Sequence, residues 1–151
     1  MNLLDLCSEN LIELNLDVKD KEDAIKKMAQ VVYDNKYVTD LEGYIQNVLE
    51  REEELTTGFG NGLAMPHGKC AGVKKAALMI ARFNQKIDWG SLDGEPVDIA
   101  LLLAIPEESE DGSNIHLKML TAIATKLGST KGVEEIRQLD DKKLILNFLA
   151  N

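Results

Sequence analysis

Cysteine, histidine, proline and aromatic residues are all scarce in this chain, and several of these scarcities close a class of function. Its 151 residues hold 2 cysteines, 2 histidines, 3 prolines and 1 tryptophan, with aromatics at 5%. Two cysteines as widely separated as Cys7 and Cys70 rule out the disulfide framework of a small secreted domain and read best as small apolar fillers. A zinc centre needs at least three protein ligands, and no second Cys-x-x-Cys or His-x-x-x-His cluster completes the spacing of His67 and Cys70. Basic side chains are in the minority, 17 against 26 acidic for a net charge of −9. No basic stretch is interleaved with aromatics, so nucleic acid and anionic lipid are disfavoured as partners. The longest apolar run, Ile99 to Ile105, is too short to span a bilayer. Met1 to Glu13 has no positive segment and carries Asp5 and Glu9, so no secretory signal is expected there. The expectation is a soluble, cytoplasmic protein. A phosphate-binding loop, a kinase signature and a Mg²⁺ carboxylate pair are missing too, which argues against direct use of ATP.

What remains is an ordinary globular balance, 44% hydrophobic and 28% charged, with a length that predicts one domain over residues 1–151 enclosing a real core. Alternation at Leu11, Ile12, Leu14 and Leu16 predicts a short strand. Asp20 is placed to cap a helix from Lys21 to about Asn35, with Ala24, Ile25, Met28 and Val32 on one face. Thr39 or Asp40 caps a second helix to about Glu52, whose stripe is Leu41, Tyr44, Ile45, Val48 and Leu49. Leu63 to Met65, Ala76 to Phe83 and Val97 to Ile105 read as strands, the last apolar enough for a sheet centre. Ser113 or Asn114 then caps a helix that Gly128 ends. Val133 to Leu139 and Lys142 to Leu149 predict two further short helices. The class is α/β, helices packed against a sheet, with no linker or low-complexity segment.

One stretch is not ordinary. Phe59-Gly60-Asn61-Gly62-Leu63-Ala64-Met65-Pro66-His67-Gly68 places a rare histidine between proline and glycine at the end of a short apolar segment. Pro66 fixes its own φ and biases Met65 towards extended backbone, while Gly68 permits a sharp turn or the close approach of another backbone. Taken alone, the stretch also fits a structural turn with an incidental histidine.

The passage resembles the phosphohistidine motif of the mannitol/fructose-type IIA proteins (EIIA type 2) of the bacterial phosphoenolpyruvate-dependent sugar phosphotransferase system. In that family an acidic or amide residue precedes the hydrophobic-Gly-x-x-hydrophobic-Ala-hydrophobic-Pro-His-small run, and Glu52 fills that slot here. The likeness extends to Arg51-Glu52, Thr56-Thr57, Ile87-Asp88-Trp89, Asp93-Gly94-Glu95-Pro96-Val97, and His116-Leu117 with Leu120. The resemblance implies a mixed sheet flanked by helices and a catalytic set of His67, Arg51 and His116, with no metal or organic cofactor. It implies that His67 takes a phosphoryl group from the phosphohistidine of HPr, through Nε2. His67 would pass the group to a cysteine of a IIB domain, which phosphorylates sugar at the membrane component IIC. Fructose-like specificity is slightly preferred.

The chemistry of the residues agrees. Neutral imidazole, with a pKa of about 6.5, is a good nucleophile at phosphorus near neutral pH. Phosphoryl transfer then needs positioning and positive charge around three oxygens. Arg51 offers a guanidinium fork, although Glu50-Arg51-Glu52-Glu53-Glu54 also fits a solvated acidic turn. Acids at a helix C-terminus oppose its dipole, which predicts that one of them orients Arg51. His116 falls just inside a helix start, where unpaired N–H groups favour an anion and the dipole depresses a histidine's pKa. Its expected role is hydrogen bonding to the phosphoryl group or to His67. Thr56 and Thr57 are either hydroxyl donors or turn caps. Lys69, Lys74 and Lys75 either steer an anion or form a plain surface loop. Trp89 fits a half-buried core position better than a partner anchor. Two other functions remain open. One is a regulatory, nitrogen-type IIA module acting by phosphorylation-dependent protein binding; the other is a thiol or metal enzyme using Cys70 and His67.

Overall fold

The computed structural model describes residues 1–107 and 114–151. Two single-turn helices, Leu3–Asp5 and Glu9–Leu11, lead into strand β1 (Ile12–Leu16). Helix α1 (Lys21–Asp34) starts where the Asp20 carboxylate accepts the Asp23 N–H at 2.8 Å. Helix α2 (Leu41–Glu54) repeats the device, with Asp40 accepting the Gly43 N–H at 3.0 Å. Each cap satisfies a donor the first turn leaves open and contributes about 1 kcal/mol. Both helices bury a single stripe, Ala24, Ile25, Met28, Ala29 and Val32 on α1, and Tyr44, Val48 and Glu52 on α2. Then follow β2 (Gly58–Gly60), β3 (Leu63–Ala64), β4 (His67–Cys70), β5 (Ala77–Ile87), β6 (Val97–Pro106), α3 (Ile115–Leu127), α4 (Thr130–Gln138) and α5 (Lys142–Ala150).

The strands form one mixed sheet in the order β1-β5-β6-β3-β2, with β4 also paired to β6. Strand β6 is its axis: it runs antiparallel to β5 and parallel to both β3 and β4. Ile99 to Ile105 are all buried, as are Ala77 to Ala81 on β5. Burial of consecutive residues means that both faces of these strands are covered, the situation that lets a strand be apolar throughout.

The expected elements all occur, with shifted ends. Strand β5 runs four residues beyond Phe83, and α4 starts at Thr130 because the Ser129 hydroxyl accepts the Gly132 N–H. Of the two caps expected for α3, Asn114 is the one described; its side chain accepts the Leu117 N–H at 3.1 Å, and Ser113 lies outside the described residues. Two strands were not expected, β2 and β4, so His67-Gly68 is extended backbone and not a turn. Gly68 serves the other purpose its missing Cβ allows. An added Cβ would stand 2.9 Å from Val48 Cγ2 and 3.0 Å from Tyr44 Cε1, so α2 can lie directly against β4 only at glycine. Tyr44 secures that contact by donating its hydroxyl to the Leu103 carbonyl at 2.8 Å.

Candidate functional site

Strands β3 and β4 lie end to end along the same edge of β6, Leu63 and Ala64 against Ile99 and Ala100, His67 to Cys70 against Leu103 to Pro106. Met65 and Pro66 break the run. Pro66 has no N–H to give, although its carbonyl still accepts the Leu103 N–H at 3.0 Å. The Met65 N–H turns the other way and donates to the Thr57 carbonyl at 3.0 Å, extending the β2–β3 hairpin. That hairpin closes through Gly60, Asn61 and Gly62, all at positive φ (118°, 59° and 76°). The interruption leaves His67 half-buried at the start of β4, with its ring turned back on the segment before it.

The His67 ring is anchored through Nδ1, 3.1 Å from the Met65 carbonyl oxygen. A carbonyl can only accept, so Nδ1 carries the proton and the lone pair resides on Nε2. The His116 ring stands 5.2 Å away between centroids, tilted by 55°. His116 Nε2 is buried and has no hydrogen-bond partner among the described residues. It belongs to the first turn of α3, where backbone N–H groups lack intrahelical acceptors. Arg51, in the last turn of α2, is close enough for its charge to depress the pKa of both imidazoles.

Both histidines therefore sit below the usual 6.5. For His67 burial is the main cause and Arg51 adds to it, against the Met65 bond and the Glu52 charge, which pull upward. For His116 burial again leads, followed by the charges of His67, Lys69 and Arg51. At neutral pH both rings are uncharged, which suits a nucleophile and a neutral donor. The linkage has a definite sign: below 6.5 the unfolded chain takes up protons that the folded rings refuse. This contribution to stability is fully present above 6.5 and is lost as the pH falls through 6.5 towards the folded-state values.

Two expectations need correction. No carboxylate orients Arg51 among the described ion pairs; its guanidinium donates to the Leu55 carbonyl at 2.8 Å, an open acceptor at the end of α2. Nor is Trp89 half-buried: it is 1% exposed and belongs to the core, with the Lys21 ammonium 5.8 Å from its ring centroid. Thr57 is buried and donates its hydroxyl to Glu52, while the Thr56 hydroxyl accepts the Gly58 N–H at 3.1 Å, so both hydroxyls organise the turn. Of the three lysines, Lys69 lies near the histidines; Lys74 and Lys75 belong to the segment bonded to Tyr37. Cys70 follows His67 on β4, half-buried, and no group of three histidine, cysteine or carboxylate residues stands together among the described residues. Burial pushes the Cys7 thiol up to about 12, so it is an inert filler.

Sequence reading placed Glu52 in the motif without giving it a role, and missed one residue altogether. Glu52 is the one buried charged side chain among those described, and the signal of its burial was its position four residues after Val48 on the buried stripe of α2. Arg137 was missed for want of any local signal. From α4 it donates to both oxygens of Asp98, at 2.8 and 3.0 Å, and to the Asn61 carbonyl at 2.8 Å, locking the hairpin turn to β6.

One histidine from the start of β4 and one from the first turn of α3 thus stand together, with the charge of Arg51 acting on both, beside a mixed sheet. The chain belongs to the family described as "Phosphoenolpyruvate-dependent sugar phosphotransferase system, EIIA 2", whose model matches residues 5–151. It is 31% identical over 134 residues to the PTS system fructose-like EIIA component of Escherichia coli, covering 89% of this chain and 88% of that one. It is 33% identical over 154 residues to a nitrogen regulatory protein of Bradyrhizobium diazoefficiens, covering 99% and 95%. Against the fructose-specific EIIABC component of Bacillus subtilis the identity is 29% over 99% of this chain, which spans only 23% of that longer protein. Two solved structures share the fold at 23% identity. One is the nitrogen regulatory protein IIA-Ntr of Neisseria meningitidis, with a TM-score of 0.85 over 96% of this chain and 97% of that one. The other is the complex of enzyme IIAMTL with phosphorylated enzyme IIBMTL from Escherichia coli, with a TM-score of 0.78 over 96% of each chain. Among the described residues no helix is long and apolar enough to cross a membrane.

Proposed function

We propose that residues 1–151 act as one IIA domain carrying a phosphoryl group on His67 Nε2, received from the phosphohistidine of HPr and delivered to a cysteine of a IIB domain. The observation that carries this reading is the Nδ1–H bond to the Met65 carbonyl, which commits the lone pair of His67 to Nε2. In the first transfer the P–N bond of the donor breaks as a P–N bond to Nε2 forms, and the donor imidazole leaves with the electron pair. Nδ1 keeps its proton, so the phosphorylated ring carries positive charge that the Met65 carbonyl stabilises, and it remains a good leaving group. In the second transfer a thiolate displaces that neutral imidazole and forms a P–S bond. Arg51 meets the oxygens with a charge that no described carboxylate neutralises. His116 donates a hydrogen bond to the phosphoryl group or to His67.

Exposed apolar side chains nearby suit a macromolecular donor. Leu117, next to His116, and Phe59, on the hairpin that precedes His67, are 60% and 54% exposed. The complex of a structural relative with a phosphorylated IIB protein supports delivery to IIB, and the fructose-like EIIA relative supports a sugar-uptake role. The nitrogen regulatory relative, matched over nearly all of both chains, supports a second reading with the same phosphohistidine, in which its charge governs binding to another protein. Incubation with phosphoenolpyruvate, Enzyme I and HPr, followed by intact mass spectrometry, is expected to show one acid-labile phosphoryl group. A chase with IIB domains is expected to remove it. Retention of label against every IIB domain offered would favour the regulatory reading, and no label at all would sink both.

A further inference from the structure

We infer that Glu52 is a positioning residue for His67, holding through Thr57 and Met65 the carbonyl that decides which ring nitrogen carries the proton. The inference rests on the reading of His67 as the phosphoryl acceptor and gives the acidic residue of the motif a physical role. Four contacts join the two side chains. Glu52 Oε2 accepts the Thr57 N–H at 3.2 Å, and Oε1 accepts the Thr57 hydroxyl. The Thr57 carbonyl accepts the Met65 N–H at 3.0 Å. The Met65 carbonyl then accepts the His67 Nδ1–H at 3.1 Å.

A carboxylate is a costly way to fill the buried stripe of a helix, and an apolar side chain after Tyr44 and Val48 would fill it without that cost. Glu52 is 6% exposed and is compensated from two directions, by both donors of Thr57 and by the Lys21 ammonium of α1 at 3.5 Å. Its two oxygens clamp the N–H and the hydroxyl of Thr57, and the Thr56 hydroxyl accepts the Gly58 N–H of the next peptide at 3.1 Å, so the peptide that carries the Thr57 carbonyl is held between two fixed points. Met65 needs an acceptor on the β2 side because the β6 edge is met by its neighbour, the Pro66 carbonyl accepting the Leu103 N–H at 3.0 Å. Arg51, its chain neighbour, is only half-buried and donates to the Leu55 carbonyl, whereas Glu52 is turned into the buried stripe.

The test reads the His67 tautomer directly, by long-range proton–nitrogen NMR on wild type and on Glu52→Gln, Glu52→Ala and Thr57→Val, with circular dichroism for folding. Wild type and Glu52→Gln, which keeps an acceptor oxygen for Thr57, are expected to hold the Nδ1–H form. Glu52→Ala is expected to populate both tautomers and to accept phosphoryl from phospho-HPr about tenfold more slowly, as loss of geometric control predicts. Thr57→Val, which removes the hydroxyl from the clamp, is expected to show a smaller shift the same way and decides the matter if Glu52→Ala does not fold. A folded Glu52→Ala, or Thr57→Val, with His67 wholly in the wild-type tautomer overturns the inference. A tautomer that shifts in a protein that takes no phosphoryl group upholds the positioning role while refuting the carrier reading.

Discussion

His67→Ala is expected to abolish the acid-labile phosphoryl group that wild type takes from phospho-HPr, leaving no detectable label instead of a slowed reaction. Every other element of the site assists a nucleophile and none replaces one. His116 is the sole alternative imidazole in the sequence, and its Nε2 is buried, with its ring centroid 5.2 Å from that of His67. Its expected role is to donate a hydrogen bond, the reverse of what attack on phosphorus requires. The variant is expected to fold, since the half-buried ring has a single hydrogen bond to lose, worth about 1 kcal/mol. Intact mass spectrometry beside circular dichroism measures both. Full labelling of a folded His67→Ala would move the phosphoryl group to another side chain and refute the assignment.

Arg51→Ala is expected to slow phosphoryl acceptance roughly a hundredfold, the scale of losing one preorganised charge at a reacting centre. Stability should fall by only about 1 kcal/mol, because the half-exposed guanidinium makes one bond, to the Leu55 carbonyl. A second readout separates an electrostatic role from a structural one. The Arg51 charge depresses the pKa of both histidines, so the NMR titration midpoints of His67 and His116 should both rise when it is removed. Rapid-quench kinetics with wild-type rates, or unmoved midpoints, would return Arg51 to the role of a helix-end surface residue. Arg51→Lys should restore the midpoints better than the rate, since an ammonium keeps the charge but not the planar fork.

The parts of this fold that local chemistry dictates could be read in advance. Asp20 and Asp40 announce α1 and α2 because a cap is a contact across three residues, and the buried stripes follow from helical spacing. The apolar run of β6 announced a central strand for a similar reason. Strands β2 and β4 escaped because three or four residues rich in glycine show no alternation, and β4 exists only through its ladder with Leu103 to Pro106. At the site, the motif singled out His67, while His116 and Arg51 came with the family resemblance; their convergence is a fact of the tertiary fold. The partner of Arg51 was misjudged because sequence shows adjacent carboxylates and conceals where a helix leaves its last carbonyls. Glu52 was legible as the acid of the motif, but its role depends on Thr57 and Met65, five and thirteen residues further along.

The identity of the phosphorylated nitrogen tests the account at its centre. Phosphorus NMR on protein carrying isotopically labelled histidine, phosphorylated through HPr, resolves which ring nitrogen is coupled to phosphorus. A single phosphohistidine resonance coupled to His67 Nε2, lost in His67→Ala, is the predicted result. Coupling to His67 Nδ1, or a resonance assigned to His116, would contradict the tautomer that the Met65 carbonyl imposes and the account built on it.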